Sequence, residues 1–130
     1  LNMTAWNKID TWIGAAELEA AAAGLKGQGY RLVQIGCVKE PAGDCPAETL
    51  ELIYSFDRDY ELRNLRLIVN PAAAVPSVTA SYGCAFLYEN EIHDLFGLHI
   101  TGINVDFGGT LYKVAKPRAF NPAAQQGGAA

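Results

Sequence analysis

"TLELIYSFDRDYELRNLRLIVN", residues 49–70, alternates apolar and polar side chains over most of its length. Leu50, Leu52, Tyr54 and Phe56 share one face of an extended chain, and Glu51, Ile53 and Ser55 share the other. A period of two marks strands with one face in a core. The second run, residues 60–70, follows a short break at Arg58-Asp59, so the two strands form a hairpin. Immediately upstream, "YRLVQIGCVKE" (residues 30–40) turns β-branched and reads as a further strand, separated from the hairpin by the turn "PAGDCP" (residues 41–46).

Outside these strands the period changes. Residues 4–27 read as a helix: Trp6, Ile9, Trp12, Ile13 and Ala16 recur at helical spacing, and Leu18 to Leu25 is rich in Ala and Leu. Gly14 is placed to kink or split that helix, and Gly27 and Gly29 stop it. Downstream, Pro71 and Pro76 forbid a central strand, and Ser77 or Ser81 is suited to cap a helix over residues 84–96 that ends at Gly97. Residues 100–114 read as a small hairpin around Gly108-Gly109, and the rest lacks periodicity. The expected fold is α+β: a mainly antiparallel sheet of three or more strands, helices on one face, and an extended C-terminal arm. A single domain over residues 1–115 and a tail over 116–130 complete the reading.

The bulk properties exclude several function classes. The chain has 130 residues, half of them apolar, enough for one domain with a real core. A formal net charge of −4 and no block of Lys or Arg give no footprint for nucleic acid. No apolar run reaches the roughly 20 residues that span a bilayer, so no direct membrane insertion is expected. Cys37, Cys45 and Cys84 are scattered, with no C-x-x-C pair, and are read as reduced thiols rather than cluster or zinc ligands.

The second helix holds the residues that suggest chemistry. "YENEIHDLFGL", residues 88–98, brings together Glu89, Glu91, His93 and Asp94. At about 100° per residue, Cys84, Ala85, Tyr88, Ile92, Leu95 and Phe96 share an arc suited to the sheet. Glu89 and Glu91 flank that arc on opposite sides, and only His93, four residues on, meets Glu89. Two ligands fall short of the usual three of a catalytic metal, and no nucleophile stands in a recognised context. A small metal-dependent enzyme using Glu89, His93 and Asp94, with His99 as a further ligand, stays open as the alternative. Phe86 and Leu87 project away from the arc, so the helix requires a second cover, either the C-terminal arm or a partner protein. Glu89, Glu91 and Asp94 would then anchor arginines or backbone N–H groups of that cover.

Over residues 75–100, "VPSVTASYGCAFLYENEIHDLFGLHI" resembles the signature of the 30 kDa subunit family of respiratory NADH:quinone oxidoreductase (complex I). That family includes the equivalent subunit of energy-converting, membrane-bound nickel–iron hydrogenases. The resemblance rests on Pro76-Ser77, Ala85-Phe86, Glu89-Asn90-Glu91, Asp94, Leu95-Phe96 and Gly97-Leu98. Asn90 stands where the family has Arg, and "HITGINVDFGGTLYKV" replaces a His- and Arg-rich stretch, both of which lean towards the hydrogenase branch. The resemblance implies a non-catalytic subunit with no cofactor of its own. Its partners would be the large catalytic subunit and the iron–sulfur subunit, on the cytoplasmic face of the membrane and peripheral to it. The implied partner interface comprises Phe86, Leu87, Glu89, Glu91, His93, Asp94 and Gly97.

Overall fold

A computed structural model describes residues 7–40 and 49–104. The hairpin is present as expected. β3 (Thr49–Arg58) and β4 (Glu61–Val69) pair antiparallel, with Leu52 opposite Leu67 and Tyr54 opposite Leu65. The turn sits one residue later than the break in the pattern suggests. Asp59 and Tyr60 both take positive φ, 47° and 65°, the primed geometry that matches strand twist. An exposed Tyr in that conformation is strained, since its Cβ crowds the following carbonyl.

β2 (Arg31–Glu40) pairs antiparallel with β3, and Val33 is extruded as a bulge between Leu32 and Gln34. The fourth strand is a surprise. β1 (Asn7–Trp12) lies parallel to β4, giving the order β1-β4-β3-β2. The helix expected over residues 4–27 is therefore confined to α1 (Leu18–Gly27), entered through a 3₁₀ turn at Ala15–Glu17 after Gly14. The helical spacing of Ile9, Trp12 and Ile13 has no buried face behind it: Trp12 is 57% exposed. Pairing decides instead, because β1 satisfies backbone groups along the outer edge of β4, with Asn7 N–H on the Tyr60 carbonyl and Ile13 N–H on that of Arg66.

Both helices pack on one face of the sheet. Leu50, Leu52, Tyr54, Phe56, Leu65, Leu67 and Val69 from the hairpin meet Leu18, Ala22 and Leu25 of α1 and Ile92 of α2 (Phe86–Phe96) in one core. Each fully buried leucine there contributes roughly 1.5–3 kcal/mol. Gly97 ends α2 at φ 73°, with its N–H on the His93 carbonyl, as the sequence suggests. Beyond it, β6 (His99–Thr101) runs parallel to β5 (Ala74–Pro76) as a separate two-stranded sheet, so Ile100 and Thr101 belong to this pairing and not to the start of a downstream hairpin. The turn expected at Gly108-Gly109, the C-terminal arm and the boundary at residue 115 lie outside the described residues.

Candidate functional site

The acidic helix is built around one buried carboxylate. Glu89 is fully buried. Ser77 Oγ donates to its Oε1 at 2.6 Å, and the Val78 N–H donates to Oε2 at 2.9 Å. The Thr79 N–H in turn donates to Ser77 Oγ at 3.0 Å, and the Asn104 N–H donates to Thr79 Oγ1 at 3.0 Å. The Ser77 N–H bonds the Thr101 carbonyl at 2.8 Å. One carboxylate thus ties α2 to the loop after β5 and, through Ser77 and Thr79, to the segment leaving β6. Ser77 is a tie and not the expected helix cap; neither the 3₁₀ turn at Gly83–Ala85 nor α2 has a side-chain cap.

These bonds come from a hydroxyl and an amide, not from a cation. Burial raises the pKa of Glu89, and the Ser77 and Val78 hydrogen bonds hold it back. The hydroxyl of Tyr54 is buried with no hydrogen-bond partner among the described residues, and its pKa is pushed up by burial and then by the nearby Glu89 charge. Desolvation likewise pushes the Cys37 thiol to about 12, which leaves it inert, while Cys84 is exposed.

The other predicted residues are dispersed around α2. Glu89, expected at the flank of the sheet-facing arc, lies inside because the Ser77–Thr79 loop closes over it. Cys84, expected on that arc, is exposed because the 3₁₀ turn advances faster per residue than an α-helix and rotates it away. Asn90 and Asp94 are buried on the side away from Ile92. Asn90, where the resemblance expects Arg, donates its Nδ2 to the Phe86 carbonyl at 2.7 Å. Phe86, Glu91 and Gly97 are half-buried, and Leu87 is 51% exposed.

His93 does not join Glu89. Its Nδ1 lies 3.0 Å from the Leu98 carbonyl, which makes Nδ1 the protonated nitrogen and ties the ring to the chain just past the helix. Among the described residues, no three His, Cys, Asp or Glu side chains gather as a metal site would require. A shallow pocket at the hairpin turn is lined by Gly29, Arg31, Asp57, Arg58, Asp59 and Tyr60. Arg31 pairs with Asp57, and Arg58 donates to the Gln28 carbonyl.

A second polar cluster lies on the open face of the sheet, where the sequence reading proposed nothing. Arg66 binds Glu51 through two nitrogens, approaches Asp10 at 3.6 Å and stacks 5.0 Å from the Trp12 ring centroid. Asn64 Nδ2 donates to Asp10 at 2.8 Å. Exposed Ile68 and Val38 flank Glu51 on the neighbouring strands. The alternation of the hairpin does place Glu51, Asn64 and Arg66 on this face, but only the arrival of β1 brings Asp10 and Trp12 to them.

Comparison with known proteins places this arrangement. The chain matches a chain in the structure of the membrane-bound sulfane sulfur reductase, an archaeal respiratory membrane complex. That match has a TM-score of 0.75 at 18% identity, over 93% of this chain and 72% of the other, and shows a shared fold. No curated protein matches the sequence. The family described as "Respiratory-chain NADH dehydrogenase, 30 Kd subunit" matches residues 11–105, which take in β2, β3, β4, both helices and the Ser77–Glu89 tie. The chain belongs to that family of respiratory-chain NADH dehydrogenase 30 kDa subunits.

Proposed function

We propose that this chain is a non-catalytic structural subunit of a membrane-associated oxidoreductase complex, of the energy-converting hydrogenase or NADH:quinone oxidoreductase kind. It would brace the large catalytic and iron–sulfur subunits and bind no cofactor itself. Family membership supports the setting, and one observation carries the role. Glu89 and His93 of α2 are bonded within the chain's own fold, while Leu87 is left exposed on the same helix. A carboxylate fully enclosed by its own loop builds a rigid shape and is not within reach of a substrate, as general acid–base catalysis requires.

In this reading Glu89 and Asp94 hold α2 in place, and Leu87 with Glu91 beside it meets the partner. No described helix is long and apolar enough to cross a membrane, so attachment to one would come through other subunits. The test is co-purification with the large subunit. Leu87→Asp and Glu91→Ala should lower recovery of the complex while the isolated chain keeps its melting temperature. Full recovery of the complex with both variants would overturn this reading.

A further inference from the structure

The element that the sequence pattern misread, β1, carries a second interaction surface. Among the described residues β1 is an edge strand of the sheet, on the side opposite β2. All of its residues but Ile9 are exposed. A bare strand edge is a template for pairing; β1 has no proline or bulge, and its guards are the charges of Lys8 and Asp10, which admit only a partner that matches them.

Which backbone groups face outward follows from the pairing with β4. The N–H groups of Asn7 and Ile13 bond the carbonyls of Tyr60 and Arg66. Backbone groups alternate sides along a strand, so those of Asn7, Ile9 and Thr11 face β4. Those of Lys8 and Asp10 face the open edge.

We propose that the occupant of this edge is a second copy of the chain, its β1 antiparallel to the first about a two-fold axis through Ile9. In this register Lys8 lies opposite Asp10 of the second copy, and Asp10 opposite Lys8. Each such pair exchanges both backbone hydrogen bonds, since both residues present their groups outward. On the other face Ile9 meets Ile9, and Asn7 meets Thr11. The neighbouring symmetric registers fail on charge: an axis at Lys8 sets two lysines face to face, and one at Asp10 sets two aspartates so. Registers between these oppose an outward residue to an inward one and lose the hydrogen bonds. Of the registers centred on Lys8, Ile9 and Asp10, the one about Ile9 sets unlike charges opposite one another. The resulting sheet would run through eight strands, with the α2 side of each copy at the far edge from the contact. The pairing is independent of the docking role proposed for α2 and compatible with it.

The experiment is a charge-swap series on the full 130-residue chain, followed by sedimentation at rising concentration. Wild type is expected to form a dimer. Lys8→Asp and Asp10→Lys are each expected to weaken it about tenfold or more, since each sets like charges opposite one another. Mixing the two variants should restore dimers, because every contact is then of opposite sign. Asp10 also accepts from Asn64, so that variant loses a contact of the fold as well; a second measurement uses Ile9→Cys. On the two-fold axis this position forms a non-hydrogen-bonded pair with Cα atoms about 4.5 Å apart, within disulfide range. Oxidation should then yield a cross-linked dimer beyond the level that the native cysteines give in wild type. A monomeric wild type, a dimer indifferent to Lys8→Asp, or no excess cross-link would each overturn the proposal.

Discussion

Two carboxylates, Glu89 and Glu51, sit on opposite sides of the same sheet and are held in opposite ways. Glu89 lies among the helices, takes a hydroxyl and an amide proton, and has its pKa raised. Glu51 lies on the open face, where Arg66 binds it and joins it to Asp10 and Trp12. The inner group is costly to charge and is tolerated because its bonds tie three chain segments that touch nowhere in sequence. The outer group is itself covered by its neighbours, is neutralised by a partly exposed guanidinium, and organises a surface. The lesson is that the most chemical-looking helix in the sequence is scaffold, while the part-buried ion pairs of the other side shape a face and an edge.

The largest effect expected from breaking this contrast is at Glu89. Glu89→Ala should cost about 3 kcal/mol in denaturant unfolding, since it leaves the buried Ser77 hydroxyl and Val78 N–H without their acceptor and opens a void. Glu89→Gln should cost less at neutral pH and should sharpen the contrast as pH changes. The folded-state pKa of Glu89 is raised, so its ionisation favours the unfolded chain. Its contribution is fully present below the ordinary carboxylate value and declines as pH rises from there to the raised folded value. The stability of the Glu89→Gln variant relative to wild type should therefore improve as pH rises through that window. An unchanged difference would mean that Glu89 is not the raised group.

Next in size, Gly97→Ala should cost about 1–2 kcal/mol, because a side chain at φ 73° is strained. A smaller loss than about half a kcal/mol would show that the end of α2 relaxes easily. Arg66→Ala should lower the melting temperature less than Gly97→Ala does. A double-mutant cycle with Glu51→Ala should show a coupling that high salt weakens only in part, because Glu51 is buried and Arg66 partly so. No measurable coupling would mean that Arg66 does not hold Glu51 and would dissolve the comparison. The smallest effect is Tyr54→Phe. Removal of a buried hydroxyl with no partner should leave stability unchanged or raise it by up to about 1 kcal/mol. A clear loss would mean that this hydroxyl takes part in the Glu89 network.

How much of this was legible depends on the range of the interaction concerned. The hairpin, β2, α2 and the Gly97 stop were readable, since alternation, helical spacing and the left-handed cap are local signals. β1 was misread because Ile9, Trp12 and Ile13 fall at helical spacing by coincidence, and the force that makes a strand there is the edge of β4, some fifty residues away. The candidate site was half legible. A helical wheel separates Glu89 from Glu91 correctly but cannot show that the loop at Ser77 folds back over Glu89. Both Ser77 and Glu89 belong to the family signature, so the resemblance flagged the two ends of the tie without saying that they touch.

The sequence by itself determined the fold class, the family and the absence of an extended basic or membrane-spanning run. Each of these depends on composition or on short-range periodicity, which survive without knowledge of contacts. Only the tertiary structure decided that Glu89 is a buried tie, that His93 turns to the Leu98 carbonyl, and that β1 presents Lys8 and Asp10 at an open edge. Those depend on which distant backbone groups need partners, and hydrogen bonds between remote segments leave no period in the chain that makes them.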